Sequence, residues 1–256
     1  MHEERRRHYL QALGVDLWQV RSATAAVADA APTDATVAME PAVEKPAPPP
    51  PRDSVAPPLS KGAVADLEWE ELEATVATCR LCGLCDGRKQ TVFGCGARDA
   101  DWMIVGEAPG AEEDRLGEPF VGAAGKLLDA MLRAVGLARE QVFIANTLKC
   151  RPPGNRDPHV DELAACRPYL ERQIALVRPR LLLVVGRIAA QALLASDEPI
   201  GRLRGRVHEL PGLGVPLVPT YHPAYLLRSP DQKRRAWQDL LLARSLMVGD
   251  GDGGPR

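Results

Sequence analysis

The chain is predicted to be an α/β protein, a three-layer α/β/α sandwich around a mostly parallel central sheet, and three observations predict it. Short apolar runs recur: WMIV at 102–105, VFIA at 142–145 and LLLVV at 181–185. Each is followed by a stretch with helical apolar spacing. The third run is apolar at every position, as a strand covered on both faces must be. Strands alternating with helices give a parallel sheet with helices packed on both sides.

The elements follow in order. DWMIVGEAPG (101–110) reads as a buried strand that stops in a turn-rich loop. AGKLLDAMLRAVGL (124–137) sets Leu127, Leu128, Met131, Leu132 and Val135 on one helical stripe, with Gly136 as the stop. VFIANTLKC (142–150) is the second strand. DPHVDELAACRPYLERQIALV (157–177) is a helix with Asp157 as N-cap and Pro158 at its first position. RLLLVVG (180–186) is the third strand and RIAAQALLA (187–195) a helix. RVHEL (206–210) and VPLVPT (215–220) are shorter strands, and DQKRRAWQDLLLARSLM (231–247) closes the fold as a helix.

The 256 residues exceed one ordinary domain, and composition shows where the surplus lies. Residues 1–21 form a short amphipathic segment, with Tyr9, Leu10, Leu13, Leu17 and Trp18 near helical spacing. It reads as a short helix that docks on a protein partner or back onto the folded domain, or equally as a weakly ordered extension. Residues 22–63 are rich in Ala and Pro and carry too little apolar surface to offset chain entropy, so a disordered linker is expected. The folded domain is expected over 64–248 and a flexible tail over 249–256. No run of 18 apolar residues and no signal-like core is present, so a cytoplasmic protein with no membrane association is expected.

The net charge of −2 gives no general reason to expect a nucleic acid. The cations are clustered, however, at Lys149–Arg156, Arg202–Arg206 and Lys233–Arg235, and a local basic face can bind phosphates regardless of net charge. Six cysteines in a cytosolic chain point to metal or catalysis before disulfides. Cys79 and Cys82 form a C-x2-C pair, and Cys150 and Cys166 a C-x15-C pair. Two such pairs can meet as one four-thiolate site, which suits zinc or a [4Fe–4S] cluster. Cys85 lies three residues from Cys82 and could replace a ligand of the first pair, whereas Cys95 reads as a packing residue.

In open α/β sheets, ligands bind outside the carboxyl ends of the strands. The segments that follow the strands are GEAPG (106–110), NTLKCRPPGNR (146–156), GRIA (186–189) and TYHPAYLLR (220–228), and all four should face one crevice. Glu107 and His222 stand out there as chemistry-bearing side chains in loops.

GEAPGAEEDRLGEPFVGAAGKLLD (106–129), NTLKCRPPGNRDP (146–158) and HPAYLLR (222–228), taken with the four cysteines, resemble the family 4 uracil-DNA glycosylases, the iron–sulfur members of that superfamily. The resemblance runs from Leu67 to Met247. It implies a uracil-DNA glycosylase-like fold and a structural [4Fe–4S] cluster on Cys79, Cys82, Cys150 and Cys166. It also implies a monomeric, monofunctional enzyme of base excision repair. Such an enzyme acts on uracil-containing DNA, flips the base into a pocket and hydrolyses its N-glycosidic bond to leave an abasic site.

The resemblance also implies roles. Phe120 stacks on the base, and Gly106 touches it. Asn146 pairs with a carbonyl oxygen and the ring N–H of uracil, a pattern that cytosine mismatches. His222 donates a hydrogen bond to O2 as charge gathers on the leaving base. Among the acids Glu107, Glu113 and Asp114, Glu107 is the candidate for positioning water and Glu113 for lining the C5 side, where thymine carries its methyl. Tyr225, Leu226 and Leu227 can wedge into the gap left by the flipped base while Arg228 holds phosphate. Ala108 stands where the best-known uracil-DNA glycosylases carry Asp, a departure shared with family 4. The rival readings are a DNA-binding relative without hydrolysis, a relative that traps the abasic product, and an unrelated zinc protein. Intact Phe120, Asn146 and His222 favour the enzyme, and CRPPGNRDP (150–158) lacks the basic insert of the trapping relatives.

Overall fold

The computed structural model describes residues 64–248; the expectations for segments 1–21, 22–63 and 249–256 lie outside the described residues. The described chain begins with helix α1 (Trp69–Thr78), whose buried Trp69, Leu72 and Val76 form one stripe. A short strand β1 (Cys95–Gly96) precedes the central β2 (Trp102–Gly106). Helices α2 (Ala111–Leu116) and α3 (Ala123–Ala134) follow. After α3, Gly136 takes φ +85° and its N–H closes on Arg133 O at 3.0 Å. Strand β3 (Phe143–Asn146) leads to the long helix α4 (Val160–Val177), then to β4 (Leu181–Val185) and α5 (Arg187–Leu194). The remainder is α6 (Ile200–Leu203), β5 (His208–Glu209), β6 (Pro216–Thr220), α7 (Pro223–Arg228) and α8 (Lys233–Val248).

The strands form one six-stranded sheet in the order β1-β3-β2-β4-β6-β5. The inner four are parallel and the two edge strands antiparallel. Ile104 of β2 lies level with Ile144 of β3 and Leu183 of β4. Because side chains alternate along a strand, the sheet divides its apolar residues between two faces. Met103, Val105, Phe143, Ala145, Leu182 and Val184 pack with α1, α4 and α5. Ile104, Ile144, Leu181, Leu183, Val185 and Val218 pack with α3, α7 and α8. Each fully buried Leu or Ile contributes about 2 kcal/mol of transfer free energy, so both faces are strongly fixed. The three-layer α/β/α sandwich is the observed architecture.

The start of α4 differs from expectation. Its N-cap is His159, not Asp157. Glu162 decides this: its carboxylate accepts the His159 N–H at 2.8 Å and grips Arg156 at 2.9 and 2.6 Å. Asp157 instead accepts from Arg187 at 2.8 Å. Among the described residues, no helix is long and apolar enough to cross a membrane.

Candidate active site

The chain turns from β2 to one neighbour, β3, and then crosses to the other, β4, so a topological switch lies between β2 and β4. Beyond the carboxyl ends of the strands here lies a pocket of about 420 Å³. Glu107 enters it from β2, Asn146 from β3 and His222 from the loop after β6, joined by Glu113 and Phe120. Three of the four expected loops therefore converge. GRIA does not: Arg187 and Ile188 line a separate groove beside α4, and Gly186 instead backs His222, 3.3 Å from the imidazole Cβ to the position a Cβ on Gly186 would occupy.

Asn146 is 2 % exposed at the last position of β3, and its Oδ1 has no hydrogen-bond partner. A buried acceptor left unpaired costs about 1–3 kcal/mol, so it is a group awaiting a donor. Gly106 makes room for it. A Cβ at 106 would come 2.4 Å from Asn146 Oδ1 and 2.6 Å from Phe120 Cζ, so only glycine fits at that position. The Asn146 carbonyl accepts from Lys149 Nζ at 2.9 Å.

Phe120 is buried with φ +54°. Its ring stacks on His222 at 5.6 Å between centroids, 28° from parallel. His222 caps α7: its Nδ1 accepts the Ala224 N–H at 3.1 Å. An accepting Nδ1 puts the proton of the neutral imidazole on Nε2, leaving a donor. Burial first, then Arg228, pushes the His222 pKa down to about 4, so the ring is neutral at physiological pH.

Thr147 and Leu148 hold the Glu107 carbonyl through Oγ1 at 2.6 Å and N–H at 3.0 Å. The carboxyl group is half-buried, and burial, then the charge of Asp157, pushes its pKa up to about 7. Glu113 reaches back from α2. Its Oε2 accepts from Gly110 N–H at 3.1 Å, and its Oε1 from Val121 and Gly122 N–H at 3.0 and 3.2 Å. It borders the pocket, but Oε2 caps its own helix at Gly110 while Oε1 holds the loop that carries Phe120. Asp114 is buried and accepts from Lys89 N–H at 2.9 Å, away from the pocket.

Around the mouth, Tyr225 is 37 % and Leu227 45 % exposed, and Arg228 lines the rim with Tyr225. Leu226 is a correction. At 1 % exposure it packs into the core with α3 and α8. Pro152, Asn155 and Arg156, from the loop after β3 that was expected to face the crevice, also line the pocket.

Cys79, Cys82, Cys150 and Cys166 line one small cavity beneath this loop, and Cys85 touches it as well. Among the described residues, no group of three or more His, Cys, Asp or Glu side chains is gathered to hold a metal ion. Burial pushes Cys166 up to about 12 and raises Cys150 and Cys82. Several donors face these thiols. Arg88 Nη1 donates to Cys150 Sγ at 3.1 Å and the Lys149 N–H to Cys166 Sγ at 3.3 Å. The buried Tyr169 hydroxyl borders the cavity and faces the Cys79 thiol, without closing a well-formed hydrogen bond. Lys149, counted with the basic cluster from sequence, is only 1 % exposed; its Nζ donates to Asn146 O and to Gln173 Oε1 at 2.6 Å, and burial lowers its pKa to about 8. Its signal was a lone Lys between a strand and a cysteine.

The family model described as "Uracil DNA glycosylase superfamily" matches residues 93–241, more than half of the chain. The type-4 uracil-DNA glycosylase of Sulfurisphaera tokodaii is 41 % identical over 186 residues, covering 70 % of this chain and 84 % of the relative. That of Pyrobaculum aerophilum is 42 % identical over 182 residues, covering 69 % and 93 %. The chain belongs to the type-4 uracil-DNA glycosylases. A type-5 uracil-DNA glycosylase, from Thermus thermophilus, is more distant at 32 % identity over 61 % of this chain and 87 % of the relative. The matched span contains every pocket residue named above together with Cys150 and Cys166, while Cys79 and Cys82 lie before it.

Proposed function

We propose that this chain excises uracil from DNA as a monofunctional glycosylase, the first step of base excision repair. The observation that carries the reading is the unpartnered Oδ1 of buried Asn146 in a pocket that Phe120 and His222 also line. That acceptor suits the N3–H of uracil, and the amide NH2 suits O4. Cytosine offers a lone pair and an amino group instead and leaves both mismatched.

The chemistry follows from the side chains. A base cannot be reached inside a duplex, so the nucleotide swings out and stacks on Phe120. The C1′–N1 bond breaks with its electron pair on uracil. The neutral His222 presents Nε2–H to O2, where that charge collects. Water adds to C1′ and gives up a proton, for which the Glu107 carboxylate, poised near neutral pH, is the acceptor. Glu113 holds the loop and so acts on the base indirectly, through Phe120. At the mouth, Tyr225 and Leu227 are available to fill the vacated stack, and Arg228 to hold phosphate.

A [4Fe–4S] cluster on Cys79, Cys82, Cys150 and Cys166 fits what surrounds them. Lys149 is a buried ammonium with no carboxylate among its hydrogen-bond partners, Arg88 adds a second cation, and the Tyr169 hydroxyl faces the Cys79 thiol. All three suit a negatively charged, sulfur-rich group. When bound, such a cluster supplies cross-links between chain segments.

The test is single-turnover treatment of an end-labelled oligonucleotide containing one uracil, followed by hot alkali. Strand cleavage at uracil, absent when thymine replaces it, is the expected result. No cleavage by brown, iron-replete protein would turn the reading to a DNA-binding relative.

A further inference from the structure

We propose that Arg139 is a positioning residue for this reaction, acting through Phe120; the inference rests on the uracil-excision reading above. Phe120 holds a left-handed backbone, φ +54°, which a bulky side chain keeps only when its surroundings impose it. Two side chains of opposite charge impose it from two ends. Glu113 Oε1 takes the N–H groups that follow, those of Val121 and Gly122. Arg139 takes the carbonyl of Phe120 itself and the one before it: Nη1 donates to Phe120 O at 3.3 Å, and Nη2 donates to Pro119 O.

Arg139 is itself fixed. Nη1 pairs with Asp129 of α3 at 3.2 Å, and Nη2 with Glu118 at 3.2 Å and with Cys95 Sγ at 3.4 Å, leaving the side chain 18 % exposed. Two neighbouring carbonyls and two carboxylates on separate segments call for a planar, five-donor fork, which lysine lacks. Gly125 completes the clamp from the other side. A Cβ there would fall 1.7 Å from Phe120 O, so the carbonyl is confined between helix and guanidinium. Arg139 does not border the pocket and cannot touch the base. What it sets is the plane on which the base stacks, and with it the face presented to His222.

The experiment compares wild type with Arg139→Met, Arg139→Lys, Phe120→Ala and the Arg139→Met/Phe120→Ala double variant. The readouts are inhibition by free uracil, single-turnover excision and affinity for uracil-free DNA. Loss of a stacking plane predicts about tenfold weaker inhibition by uracil in either Arg139 variant. Affinity for uracil-free DNA should stay within about twofold, since no phosphate contact is removed. The double variant should be no worse than Phe120→Ala alone, because the arginine has nothing left to position. Unchanged uracil inhibition in a folded Arg139 variant, or losses that multiply in the double variant, overturns the proposal. Arg139→Lys keeps the charge for Asp129 and Glu118 and carries the test if Arg139→Met does not fold. Wild type that releases no uracil would overturn the underlying reading instead.

Discussion

The rings of Phe120 and His222 stack on one another, 5.6 Å between centroids and 28° from parallel, although they arrive from loops a hundred residues apart. The stacking plate therefore also shields the imidazole, whose low pKa comes mainly from burial. Phe120→Ala should move the His222 pKa back up toward its ordinary value. Proton NMR titration of the imidazole would read the shift, and an unmoved pKa would mean that Phe120 contributes nothing to the shielding.

The pH dependence of excision should be set by Glu107. With a pKa of about 7, its carboxylate is lost as pH falls, so the single-turnover rate should drop about tenfold per unit below 7. Glu107→Gln should flatten that limb and lower the plateau on the order of 10²-fold. Stability runs the other way. A folded pKa above the unfolded value means stability that is complete below about 4.5 and lost as pH rises through about 7. Thermal melts should therefore show Glu107→Gln more stable than wild type at pH 8 and unchanged near pH 4.

Asn146→Asp replaces the NH2 donor by an acceptor. Uracil excision should fall by about 10² or more, and discrimination against cytosine should relax. Parallel assays on uracil and cytosine oligonucleotides decide it; an unaltered base preference removes Asn146 from recognition.

Cysteine variants sort the thiol ring. Cys150→Ser and Cys166→Ser should lose iron and visible absorbance, because both residues are buried at the cavity wall. Cys85→Ser should keep both, even though Cys85 borders the same cavity. Iron loss in Cys85→Ser would move the first pair of ligands.

Arg204 and Asp239 pin α8 to the strand that delivers His222. Arg204 grips the buried carboxylate at 2.9 and 2.8 Å, and Thr220 Oγ1 donates to it at 2.8 Å. Arg204→Met leaves that carboxylate without its cation and should cost about 3–5 kcal/mol in urea unfolding.

The parallel sheet was legible because WMIV, FIAN and LLLVV are buried on both faces, and burial on both faces leaves an unbroken apolar run. Helix α1 was equally readable from Trp69, Leu72 and Val76 but stood outside the strand–helix alternation that guided the reading. Asn146, Phe120 and His222 could be located because pocket chemistry sits on loops at strand ends. Arg139 could not. Its function lies in hydrogen bonds to main-chain carbonyls twenty residues away, which have no sequence signature. Lys149 misled for a related reason, since a charge beside other charges looks solvated until the fold encloses it.

Gly106 has a consequence for how such a protein can change. A methyl there would fall on the ends of Asn146 and Phe120, so every single-codon replacement pushes on both pocket residues at once. Descendants with altered base preference therefore have an easier start at Phe120 or Asn146 themselves, and position 106 becomes free to vary once either of those has shrunk.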